Sequence, residues 1–180
     1  MARMIDFRNS RFFQGLFALL LMAAAPAFGQ NLITNGNFEA ANAYIEYTDY
    51  VRTYSPYVVE ARHYAIDNNT SGFGGGQGWP TLNNSNGKFM MVNAYGGNNN
   101  PSKVVWRQTV TVTPQTTYTL SFRTVNLNRM FYGQIYPSKL QVKINNANVG
   151  DAYQLPNNND WQSRSHTWSS GAATQAIIEF

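Results

Sequence analysis

The sequence predicts an all-β protein, an antiparallel β-sandwich, and three observations lead there. Apolar residues recur with a period of two rather than 3.6 along most of the chain. The intervals between those runs collect Asn and Gly. No segment beyond the N-terminus carries the i, i+3, i+4 apolar stripe of an amphipathic helix. Of 180 residues, 13 are Lys or Arg and 9 are Asp or Glu, against 11 Tyr, 11 Phe and 4 Trp. That balance supplies a substantial core and excludes a disordered chain. The length suits one domain with a short appendage.

The appendage comes first. Arg3, Arg8 and Arg11 form a basic start, residues 16–25 (LFALLLMAAA) are an unbroken apolar run, and Ala27-Phe28-Gly29 places small residues where a signal peptidase reads. Residues 1–29 therefore read as a secretory signal peptide, with the mature chain starting at Gln30. A membrane anchor is the alternative, but a spanning helix needs roughly 20 apolar residues and Pro26 interrupts this run. A secreted or cell-surface protein is expected, with no membrane insertion after cleavage. Without the signal, ten basic and eight acidic residues remain, and the net charge falls from +4 to +2. A nucleic-acid partner would call for a denser basic stripe. The chain has no cysteine, so an exported domain must rely on its core, a bound metal, or both, rather than on disulfides.

Strands are predicted in order over residues 44–51, 57–66, 88–95, 104–112, 117–127, 139–145, 161–168 and 174–180. In 104–112 (VVWRQTVTV), Trp106, Val110 and Val112 oppose Arg107, Thr109 and Thr111. In 117–127 (TYTLSFRTVNL), Tyr118, Leu120 and Phe122 face one way and Thr119, Ser121 and Arg123 the other. In 139–145 (KLQVKIN), Leu140, Val142 and Ile144 oppose Lys139, Gln141 and Lys143. Between them lie Asn83-Asn84-Ser85-Asn86-Gly87, Gly96-Gly97-Asn98-Asn99-Asn100-Pro101, Asn145-Asn146-Ala147-Asn148 and Pro156-Asn157-Asn158-Asn159-Asp160. Asn and Gly tolerate the left-handed backbone of tight turns. Short strands so spaced imply a sandwich or barrel. No repeat or linker divides residues 30–180, which read as one domain.

Residues 31–39 (NLITNGNFE), followed by 110–122 (VTVTPQTTYTLSF), 161–171 (WQSRSHTWSSG) and 174–180 (TQAIIEF), resemble the galactose-binding-like jelly-roll domain in its carbohydrate-binding-module branch. With residues 88–95 the likeness spans nearly all of the mature chain. The Asn-rich loops are similar to those of secreted, multidomain surface proteins of gliding bacteria. The resemblance implies a closing strand with an acidic pair that supplies a calcium ligand. This chain stops at Phe180 right after Ala176-Ile177-Ile178-Glu179, so a truncated domain lacking that strand is expected. An apolar strand left as an open edge is normally covered or charged. The resemblance also maps a structural Ca²⁺ ligand onto Glu39, with Asn35 and Gly36 shaping its turn. A solvated glutamate beside a turn is the other reading, because calcium wants six to eight oxygens.

Catalytic constellations are scarce. His63 and His166 are the two histidines, far apart and expected as strand residues on the solvent face. No Gly-x-Ser-x-Gly elbow or His-Glu-x-x-His helix accompanies them. No enzyme activity is expected of this domain. A sugar-binding face has more support, since sugars offer apolar ring faces and many hydroxyls to aromatic platforms and long polar side chains. The outward residues Arg107, Arg123 and Gln141 and the loop aromatics Trp79, Tyr95, Tyr132 and Tyr136 are the candidate ligand contacts. The first three share a face only if their strands are neighbours. Two functions stay open: a noncatalytic carbohydrate-binding or adhesive module with a polysaccharide or cell-surface glycan as partner, and a structural sandwich module of a larger surface protein without a sugar ligand.

Overall fold

The computed structural model describes residues 29–40, 45–54, 61–71, 73, 81–82, 87–94, 103–127 and 138–180. The signal-like segment and the loop aromatics Trp79, Tyr95, Tyr132 and Tyr136 lie outside the described residues. The chain divides into two compact units, Met1–Asn31 and Leu32–Phe180. Among the described residues every regular element is a strand: β1 Val51–Arg52, β2 His63–Asp67, β3 Phe89–Val92, β4 Arg107–Thr111, β5 Thr117–Thr124, β6 Lys139–Leu140, β7 Lys143–Ile144, β8 Ala147–Asn148, β9 Tyr153–Gln154, β10 Gln162–Ser169 and β11 Gln175–Glu179.

Two layers enclose the main core. One is the four-stranded sheet β4-β11-β7-β8, antiparallel throughout; the other is the antiparallel pair β10-β5, in register from Gln162↔Thr124 to Ser169↔Thr117. Alternation decides what faces inward. From the first layer come Val110, Val112, Ile144, Ala176 and Ile178, joined by Trp106, Val142 and Val149; Tyr118, Leu120, Phe122 and Trp168 of the second pack against them. The fold is an all-β sandwich, as the alternation predicts.

An aromatic chain ties the layers together. Trp106 meets Phe180 edge-on at 5.7 Å, and Phe180 meets Phe122 edge-on at 4.7 Å. Phe122 in turn lies 6.2 Å from the Tyr153 ring and stacks on His166 at 5.9 Å. A second core cluster, Ala65, Phe73, Phe89 and Met91 with Leu82 and Trp161 packed on it, sits under the β1-β2-β3 sheet. There β1 runs parallel to β2, pairing Val51↔His63, a departure from purely antiparallel order.

Four further differences from expectation have local causes. Residues 139–145 are not one strand but β6, paired with β9, and β7, paired with β11 and β8. At the break the Gln141 Nε2 group donates to the carbonyls of Val142 (2.8 Å) and Gly150 (3.2 Å), the first of which also accepts from the Val149 N–H (2.9 Å). The face assignment survives the break, with Val142 and Ile144 both buried. The last strand is not an open edge, because β11 lies between β4 and β7. Strands β8 and β9 went unpredicted because two residues carry no readable period; the Asn145-Asn146 turn with φ of 52° and 65° makes the β7–β8 hairpin. His166 does not face solvent, since it pairs with Leu120 on the inward side and its Nε2 is buried without a partner.

Polar side chains complete the frame where backbone pairing stops. Gln108, buried on the inner face, accepts from the Thr34 N–H (2.9 Å) and donates to the Thr34 carbonyl (3.0 Å). Its amide stands in for a strand partner of residues 32–34. The buried Ser170 hydroxyl accepts from the Thr116 N–H (3.0 Å) and lies 2.8 Å from the Thr113 carbonyl, which staples the β4–β5 connection to the end of β10.

Candidate functional site

The outward face of β5 and β10 is built from sequence alternation and pair register together. Arg123 stands opposite Ser163, Ser121 opposite Ser165, Thr119 opposite Thr167 and Thr117 opposite Ser169. Partners in an antiparallel pair share a face. The result is two aligned ranks of hydroxyls with one guanidinium at the end. Ser121 Oγ and Ser165 Oγ are 3.3 Å apart. Over them lies a shallow groove of about 360 Å³, lined by Ser121, Phe122, Arg123, Ser163, Arg164 and Ser165.

Trp161 closes one end of this face. It stacks edge-on against Phe89 at 5.5 Å and 85°, which anchors it to the second core cluster. The Arg123 guanidinium sits over its ring, 5.2 Å from the centroid. Such a contact contributes about 0.5–1 kcal/mol at an exposed site and holds the planar fork in place while its N–H edges stay available. Arg164 leaves by the opposite face, its guanidinium 4.9 Å over the Tyr153 ring. Burial pushes the Tyr153 phenol above its ordinary value, offset in part by the nearby Thr124 hydroxyl and Arg164 charge. The Tyr153 and Thr124 hydroxyls are close enough to influence one another yet lie outside hydrogen-bonding geometry.

Arg107 is placed elsewhere. Its strand, β4, neighbours β11, and a bridge at Tyr47 lies on the other side; β5 pairs with β10. Arg107 and Arg123 therefore belong to different layers, and the shared row expected if their strands were neighbours does not form. The Arg107 Nε donates to Glu179 Oε1 at 2.6 Å, a second guanidinium nitrogen reaches the same oxygen, and the plane lies 4.4 Å over the Tyr47 ring. The Tyr47 hydroxyl donates to Asp49 (2.8 Å), and Asp49 accepts from the Val104 N–H (2.7 Å). These two bonds hold the Asp49 carboxyl below its usual value, the Val104 contribution first, and the same contact with Asp49 raises the Tyr47 phenol. Glu46 caps the same strand through the Thr109 N–H (2.6 Å) and hydroxyl (2.7 Å). Gln141 sits in neither array, its amide bound to backbone carbonyls.

Glu39 lies in a turn shaped by Asn35 (φ 52°) and Phe38 (φ 59°). Its Oε1 accepts from the Lys88 N–H. Gly87, with φ of 126°, passes so close that any Cβ there would overlap this carboxylate, so Glu39 joins the N-terminal turn to the segment entering β3. The Asn35 and Asn37 amide oxygens accept from the Ala40 and Glu39 N–H groups. Among the described residues no group of three or more His, Cys, Asp or Glu gathers around a point. One carboxylate with one oxygen already engaged does not, by itself, fit the six to eight oxygens of calcium.

Sequence reasoning missed Trp161, Ser163 and Ser165. Their parity within 161–168 was readable, but their register against β5 was not. Comparison with protein-family models, with curated proteins and with solved structures yields no match.

Proposed function

We propose that this protein is a noncatalytic carbohydrate-binding or adhesive module, secreted or displayed at the cell surface, whose sandwich is a jelly roll of the galactose-binding-like kind. The observation that carries this reading is the β5–β10 groove: Ser121, Ser163 and Ser165 beside an Arg123 fork held on Trp161. Hydroxyls both donate and accept, the guanidinium donates through a rigid planar edge, and the indole gives an apolar border. This combination suits a polyhydroxylated ligand. Calcium enters the proposal through the resemblance alone, as a structural ion at the Glu39 turn.

An open groove buries little ligand, so Kd is expected between roughly micromolar and millimolar, about −8 to −4 kcal/mol. Titration of soluble polysaccharides against tryptophan fluorescence is expected to show saturable binding. Ser165→Phe, which fills the groove from an outward strand position, is expected to abolish the binding while leaving the melting temperature within a degree or two. Absence of binding across neutral and acidic glycans alike would favour the structural-module reading. A melting temperature lowered by chelator in the wild type but not in Glu39→Ala is the expected sign of calcium; identical melts would leave Glu39 as a structural tie.

A further inference from the structure

The charge around the groove is one-sided. No Asp or Glu lines it; Arg123 presents its guanidinium on the groove face, and Arg164, in the lining through its place in the strand, turns its guanidinium to the other face over Tyr153. Neither arginine has a carboxylate partner among the described residues, where the ion pair is Arg107 with Glu179 in the other layer. Three carboxylates are engaged away from the groove lining: Glu39 at the Lys88 N–H, Glu46 at Thr109, and Asp49 at Tyr47 and Val104. Asp160 precedes Trp161 in the chain yet makes no ion pair with Arg123.

Resting on the carbohydrate reading of this groove, we propose that its ligand is an acidic glycan, one bearing carboxylate or sulfate groups. An unneutralised guanidinium held over an indole ring presents paired N–H donors in its own plane, from which a carboxylate or sulfate accepts. Ser163, directly opposite Arg123, and the Ser121–Ser165 pair one step along add neutral donors on the same face. A carboxylate placed beside Arg123 would have satisfied the fork internally, as Glu179 does for Arg107. Arg164 adds positive charge on the other face of the same strand pair.

The test uses the full chain with dextran, dextran sulfate, polygalacturonate and polyglutamate, at about 0.05 M and about 0.5 M salt, where screening lengths differ severalfold. Dextran sulfate, polygalacturonate or both are expected to bind at least tenfold tighter than dextran and to weaken at the higher salt. Which of the two binds better identifies the group. Charge-assisted hydrogen bonds of the usual strength predict a loss of roughly 10- to 100-fold for Arg123→Ala. Arg123→Lys is expected to fall between, retaining charge without the fork. Lys103→Ala, which removes an equal charge near Asp49 and outside the groove lining, is expected to change affinity less than threefold. Salt-insensitive binding of dextran, blocked by Ser165→Phe but not by Arg123→Ala, would overturn the acidic class while keeping the carbohydrate reading. Polyglutamate binding as tightly as the acidic glycans would overturn it as well, since charge alone would then suffice. No binding by any of the four would remove both.

Discussion

Phe122→Ala is expected to cost about 3 kcal/mol, the lower end of the range for removing a large aromatic, because the ring is half-buried against the core. Phe122 is the ring through which the two layers communicate: Phe180 on one side, Tyr153 and His166 on the other. Truncation leaves a cavity bordered by residues of β5, β9, β10 and the end of β11, and rigid strands collapse into such a space poorly. For a domain of this size the melting temperature should fall by roughly 6–12 °C. Phe122→Leu, which keeps much of the volume, should recover more than half of the loss. A shift of under 3 °C for the alanine variant, read by thermal melts, would mean that the aromatic chain does not join the layers.

Arg107→Met is expected to destabilise the fold by about 3 kcal/mol, because removing one partner leaves the other charge buried. Glu179 is 7% exposed and directly opposite Arg107 in the β4–β11 register. Loss of the contact with Tyr47 adds about 0.5–1 kcal/mol. The double variant Arg107→Met with Glu179→Leu should regain most of the stability, since a hydrophobic replacement of a buried pair is commonly neutral or better. Asp49 supplies the pH arm of the same experiment. Its folded-state value is depressed below 3.8, so its contribution is complete above that value and disappears as pH falls through the lowered one. Asp49→Asn should therefore be less stable than wild type at neutral pH and converge with it in strong acid. Urea midpoints across the acid range measure this; parallel curves would show that the Val104 and Tyr47 bonds carry no linkage. Glycan affinity per folded molecule should be unchanged in Arg107→Met, which separates this structural arginine from Arg123.

The contrast between those two arginines marks what was legible in the sequence. Both sit at outward parity in a clear period-two strand, and that parity is correct for each, because a pleated backbone sends alternate side chains to opposite faces whatever its neighbours do. The all-β class, the inward sets Val110/Val112, Tyr118/Leu120/Phe122 and Val142/Ile144, and the Asn145-Asn146 turn were readable for the same reason: each follows from local sterics and burial. Pairing is not local. That β4 lies beside β11 and β5 beside β10 depends on contacts between residues as distant as Arg107 and Glu179 or Arg123 and Ser163. So one guanidinium meets a carboxylate, and the other meets an indole beside a row of serines. Likewise, Gln108 holds an inward position because Thr34, distant in the chain, uses both ends of its amide. His166 shares a face with Trp168 by parity, and the pairing with β5 puts that face beside Leu120 and the core. Sequence by itself determined which side chains share a strand face; only the tertiary structure decided which faces meet, because hydrogen-bonded register between distant strands leaves no periodic trace in either one.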